Sequence, residues 1–221
     1  MAFEAIFRRY STELYRYCLG ILHNPSDAED ALQATMTAAL RSLPGEEREL
    51  ALRPWLYRVA HNESISLIRG RREDALDEET SELVDSSAAK RAEERERLRH
   101  LVSDLRGLPE RQRSAILMRE LSDLSYEEIA GALDCSEGAA RQNVFEARNA
   151  LHLVAEGRAM GCEEAREAIS SGDRRRLRGR RVGAHLRSCE GCRDFEAVIA
   201  QRRDDLQMLL PGLPLAAASG M

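Results

Sequence analysis

The sequence predicts an all-α chain, and three observations carry the prediction. Apolar residues recur at three- and four-residue intervals through the first seventy positions and again after Leu98. Alternating Val, Ile and Thr runs and Asn-Gly hairpin turns are absent. Breaks rich in Pro, Gly, Ser and Asp fall between the periodic stretches, where helices start and stop.

Each element follows in order. Phe3, Ile6, Phe7, Tyr10, Leu14, Tyr17, Cys18, Ile21 and Leu22 form one apolar helix face. His23-Asn24-Pro25-Ser26 breaks that helix, and Ser26 or Asp27 is expected to cap a second one. Its first turn holds Asp27, Glu29 and Asp30, acids that suit the positive helix end, and it is expected to run to about Leu43. Pro44-Gly45 is a turn; a third helix starts near Pro54 and places Trp55, Leu56, Val59, Ala60, Ile65 and Ile68 on one face. Residues 70–96 lose the periodicity and read as a flexible connection with a helix toward its end. Leu101, Leu105 and Leu108 then lead to Pro109, and Ser114 to Leu121 is a further helix. A short helix to Leu133, a turn at Asp134-Cys135-Ser136 and a longer helix from Glu137 to Leu151 make a helix-turn-helix. The expected domains are 1–72, a linker 73–97, then 98–157 and 158–221.

Composition excludes several classes. Of 221 residues, 43% are hydrophobic and 32% charged, and no apolar stretch approaches the roughly 20 residues that span a bilayer. The N-terminus lacks a charged-then-apolar signal layout. Five cysteines, an odd number, argue against a disulfide scaffold and for a reducing cytoplasm with some thiols on metal. A net charge of −5 hides segregation: Glu73 to Glu96 holds ten acids against three bases, whereas Arg158 to Arg193 holds ten arginines against five acids.

The second helix of a helix-turn-helix presents its N-terminal residues to base edges in the major groove. Here those are Ser136, Arg141, Gln142 and Asn143, with Arg148 placed for a phosphate; Arg suits guanine, and Gln and Asn suit adenine.

The C-terminal part carries a second constellation. His185 and Cys189 are four residues apart on one helix face, and Cys192 follows one turn later. Cys162 supplies a fourth donor, which completes a closed Cys₃His set, the usual composition of structural zinc. His152 is an alternative ligand, whereas Cys18 and Cys135 read as packing residues. The arginines at 174, 175, 176, 178, 180 and 181 can face DNA, the acidic linker or solvent.

Two regions together resemble the extracytoplasmic-function group of bacterial sigma factors. LRGLPERQRSAILMRELSDLSYEEIAGALDCSEGAARQNVFEARNAL, residues 105–151, is similar to their promoter-reading region 4. Asp27-Ala28-Glu29-Asp30-Ala31-Leu32-Gln33 and Trp55 to Asn62, followed by Leu67 to Arg72, resemble region 2. The resemblance implies a non-catalytic subunit that binds core RNA polymerase and promoter DNA. It assigns polymerase binding to Asp27, Glu29, Asp30 and Gln33, and the −10 element to Arg58, Asn62, Arg69, Arg71 and Arg72. Trp55, Leu56 and Val59 are assigned to packing. The family's usual acidic and aromatic residues are replaced by Ala34 to Leu40, and Gln142, Asn143 and Glu146 depart from its reading helix, so promoter sequence does not transfer.

The Cys-Glu-Glu opening followed by His-x3-Cys-x2-Cys resembles the zinc-binding anti-sigma domain, fused here to the chain it would regulate. That implies control in cis through contact with the sigma domains, with a separate regulator as a further partner. A stand-alone helix-turn-helix regulator and a protein that sequesters another sigma factor are the competing readings.

Overall fold

The structure, a computed structural model, describes residues 2–45, 50–74 and 89–209. Among the described residues it contains helices and turns and no strand, as the periodicity predicts. The chain divides into two compact units, Met1–Asn149 and Ala150–Met221.

In the first unit, α1 (Ala2–Leu22) buries Leu14, Tyr17, Cys18 and Ile21, the three- and four-residue pattern of its sequence. His23, at φ 54°, turns the chain. α2 (Pro25–Ser42) is capped by Asn24, two residues earlier than expected, and its Oδ1 accepts from the Asp27 N–H at 3.2 Å. Pro25 explains the shift, because its fixed φ and missing N–H suit the first helical position and leave the cap to the residue before it. A 3-10 turn (Leu43–Gly45) follows, and α3 (Leu52–Asp74) stacks the Tyr57 ring edge-on against Tyr17 at 5.4 Å between centroids.

Residues 75–88 of the expected connection lie outside the described residues, and its end is α4 (Ala89–Arg106). α5 (Glu110–Ser122), α6 (Tyr126–Leu133) and α7 (Glu137–Ala159) contain the helix-turn-helix. Ser125 and Glu128 close a reciprocal capping box on α6, with bonds of 3.1 and 2.8 Å. Asp134 ends α6 in the left-handed region at φ 49°, which Asp tolerates, and Ser136 Oγ accepts from Ala139 N–H to start α7.

The two bundles of this unit share one core instead of standing apart on a tether. α1 lies against α5 and α3 against α6, so Ala115, Leu117, Met118, Leu124 and Ile129 are buried in the same cluster as Leu14 and Leu56.

In the second unit the end of α7 meets α8 (Cys162–Ser170), α9 (Arg174–Leu177), α10 (Arg180–Ser188) and α11 (Glu190–Met208). Its core is small: Met160, Ala165, Ala168, Ile169, Val182, Leu186 and Cys192. α7 and α10 touch at Gly157, where a Cβ would overlap the Arg181 carbonyl oxygen, so only glycine permits this approach. Arg181 pairs with Glu164 at 2.8 Å and approaches Glu156 at 4.0 Å. The apolar tail read from Leu206 to Leu215 is described only to Leu209, and those last residues are exposed.

Candidate functional site

The sequence-selected residues of α2 fall on two faces. Asp27 is 8% exposed and its carboxylate grips Arg71 of α3, with both nitrogen–oxygen distances 2.7 Å. Two selected residues thus hold each other across the bundle. Glu29, Asp30 and Gln33 are exposed, and Glu29 and Gln33 line an apolar groove formed with Phe3, Phe7, Leu32, Met36, Thr37 and Leu40.

On α3, Asn62 and Arg69 are exposed, and the Arg72 side chain lies outside the described residues. Leu56 is fully buried, and Trp55 and Val59 are half-buried, which suits packing. Arg58 is exposed but engaged: Nε donates to the Gly131 carbonyl of α6 at 3.0 Å, and Nη2 donates to the same oxygen. One turn earlier, Arg53 pairs with Glu13 at 2.9 Å, donates to the Ser122 carbonyl and approaches Glu128 at 3.6 Å. His61 completes this seam between α3 and α5, with Nδ1 3.2 Å from Tyr17 Oη and 3.3 Å from Ser114 Oγ. Burial holds His61 below its ordinary range, against the opposing pull of Glu110, so the neutral ring fits the seam. None of these pairings was selected from the sequence, because each joins residues 40 to 75 positions apart.

On α7, Ala140, Val144, Ala147 and Ala150 face inward, which leaves Arg141 and Gln142 exposed and Asn143 half-buried. Arg141 pairs with Glu137 at 2.6 Å and lies 5.0 Å from the Tyr126 ring centroid. Gln142 donates to Glu146 at 2.8 Å, and Arg148 forks onto Glu120 at 3.0 and 2.6 Å. Ser136, exposed, is spent on the helix cap.

In the second unit the four selected donors converge. The ligand atoms of Cys162, His185, Cys189 and Cys192 all lie within 4.8 Å of one another. Cys162 Sγ and Cys189 Sγ are 3.7 Å apart, and His185 Nε2 is 3.3 Å from Cys192 Sγ. A tetrahedral ion with metal–sulfur bonds of about 2.3 Å needs sulfur–sulfur edges of roughly 3.8 Å, so the cluster fits zinc. A disulfide, at about 2.0 Å, does not match that separation. Cys189 caps α11, and hydrogen bonds from the Cys192 backbone and the Cys162 thiol hold its thiol below the usual range. Burial pushes Cys192 up to about 11, so a metal must displace that proton. His152 is exposed beside Glu156 at 3.3 Å and outside the cluster, and Cys18 is a buried thiol pushed up to about 11 by burial.

Fold and site together define an all-α chain with a helix-turn-helix in its first unit and a four-donor Cys/His cluster that could hold a metal ion in its second. Residues 6–73 match the family described as Sigma-70 region 2, and residues 104–151 match Sigma-70, region 4. The RNA polymerase sigma-H factor of Pseudomonas aeruginosa is 32% identical over 162 residues, which cover 68% of this chain and 84% of that one. The ECF RNA polymerase sigma-E factor of Escherichia coli K12 is 36% identical over 137 residues, 57% of this chain and 72% of the relative. The chain belongs to the sigma-70 family, in the extracytoplasmic-function group, and is an RNA polymerase sigma factor. The sigma factor RpoE, solved in complex with the anti-sigma factor NepR from Bartonella quintana, shares the fold: TM-score 0.55, 23% identity, over 68% of this chain and 94% of that one. Neither family match extends beyond Leu151. No described helix is long and apolar enough to cross a membrane.

Proposed function

We propose that this sigma factor is a non-catalytic, cytoplasmic initiation subunit whose C-terminal module holds one structural zinc and modulates promoter use in cis. Cys162, His185, Cys189 and Cys192 are the zinc ligands in this reading. The convergence of those four donors within 4.8 Å, two of them buried, is the observation that carries it. Bound zinc would supply a fixed tetrahedral crosslink between α8, α10 and α11 and no chemistry, since all four positions are filled by the chain.

Core polymerase binds the exposed Glu29, Asp30 and Gln33 and the apolar groove beside them, while Asp27 stiffens that face from behind through Arg71. Asn62, Arg69 and Arg72 meet the −10 element, and Arg141, Gln142 and Asn143 read the −35 element from the start of α7, with Arg148 on phosphate. Arg58 reaches DNA only after leaving the Gly131 carbonyl, so promoter engagement separates α3 from α6. Polymerase offsets that separation by holding both bundles on one surface, where two modest DNA contacts reinforce each other.

Run-off transcription with purified core polymerase tests the reading, comparing the full chain, its Cys189→Ser variant and a chain ending at Ala159. Altered promoter output from both variants, with bound zinc lost from Cys189→Ser, is expected. Unchanged output from both reduces the module to an appendage, and unchanged zinc content removes the ligand assignment.

A further inference from the structure

The corner between α9 and α10 carries six arginines in the eight residues from Arg174 to Arg181, with no acid among them. Gly179 makes the corner: its N–H donates to the Arg176 carbonyl at 3.0 Å, and a Cβ there would lie 2.9 Å from that same oxygen. Leu177 and Val182 turn into the small core, which leaves Arg175, Arg176, Arg178 and Arg180 exposed. Arg181 is satisfied by Glu164 and Glu156. The other four make no ion pair among the described residues.

Folding does not account for this arrangement. The inward residues supply the packing, and the arginines at the start of α10 oppose its dipole, with no acid in that first turn. Like charges clustered this closely in sequence repel one another wherever their heads come within a Debye length, about 8 Å at physiological salt. The opposing charge therefore comes from outside the unit.

We infer that this corner is a binding surface for the phosphate backbone of duplex DNA, a third DNA contact beside the two sigma regions. Four exposed forks on one bend suit phosphate oxygens spaced along a strand, and they position the module without reading sequence. The net +5 of residues 158–193, in a chain of net −5, gives this stretch the sign that duplex DNA attracts. The inference holds whether or not the module modulates transcription, because its readout is binding.

Fluorescence anisotropy of the zinc-loaded full chain on a non-promoter duplex, across a salt series, tests it. Arg178→Gln with Arg180→Gln is compared with Arg202→Gln plus Arg203→Gln, an equal loss of charge from exposed arginines of α11. The corner pair is expected to lower the slope of log affinity against log salt by about 2 and affinity by roughly tenfold, and the α11 pair to change affinity less than about twofold. The corresponding Arg→Lys pair at the corner keeps fold and slope, which separates charge from folding. Equal effects from the two Gln pairs, no effect at all, or tighter DNA binding by the corner pair, as expected of a surface that instead holds an acidic protein segment, would overturn the inference. So would displacement of DNA by inorganic phosphate beyond its ionic-strength effect, which marks a small-anion pocket.

Discussion

Among the described residues, the first unit holds together through twenty-two clustered buried apolar residues, the second through seven, of which two are alanines and one is a candidate metal ligand. Apolar burial contributes about 25 cal/mol per Å², so the larger cluster carries its unit, while the smaller leaves little to offset chain entropy. In the proposed reading a zinc crosslink would fill that gap, as metal does in small domains generally. The comparison separates two ways of fixing helices: many weak contacts spread over a wide face, or a few strong ones at a point.

The largest effect should fall on the second unit. Structural zinc binding is worth about 10–16 kcal/mol in small domains, more than such a core can replace. Cys192→Ser, or exhaustive chelation, should unfold residues 162–193 while the first unit keeps its melting transition. Limited proteolysis with circular dichroism reads both at once, and a protease-resistant, helical module without metal would break the comparison.

Next comes the core of the first unit. Leu56→Ala removes a fully buried side chain from the shared cluster and should cost about 2–5 kcal/mol in urea unfolding, with zinc content unchanged. A cost below about 1 kcal/mol would mean that the shared core yields to the loss, against the close packing described.

The smallest effect is acid sensitivity confined to the first unit. Burial lowers His23 to about 4, helped by Arg106 and Arg113, while its unfolded value is near 6.5. Between those values the unfolded chain binds the extra proton, so stability is full above about pH 6.5 and declines as pH falls toward 4. His61, lowered in the same direction, adds to the slope. His23→Asn keeps the left-handed turn and should flatten the fall in melting temperature over that window; an unchanged slope would move the sensitivity elsewhere.

How far these features could be read from the sequence depends on the range of the interactions. The helix-turn-helix was legible because the Ser125–Glu128 box, the Asp134 turn and the Ser136 cap each act within four residues. The donor set was legible for the same reason over His185, Cys189 and Cys192, and only Cys162 required a long-range guess. Asp27 reads locally as an acid at a helix start, and nothing local announces that Arg71, forty-four residues on, faces it. The shared core was invisible for a related reason: periodicity marks which face of a helix is apolar but not which helix will cover it.

The Arg58 contact carries a consequence for how the packed form can change by mutation. Its acceptor is a main-chain oxygen of Gly131, present whatever residue stands there, so substitution at 131 cannot delete the acceptor. Bulk added at 131 meets Pro54 instead, 3.3 Å from a new Cβ, and presses the helices apart without discrimination. Selection can therefore adjust this contact cleanly from the arginine side alone, where, in the proposed reading, each change also alters a residue that meets the promoter.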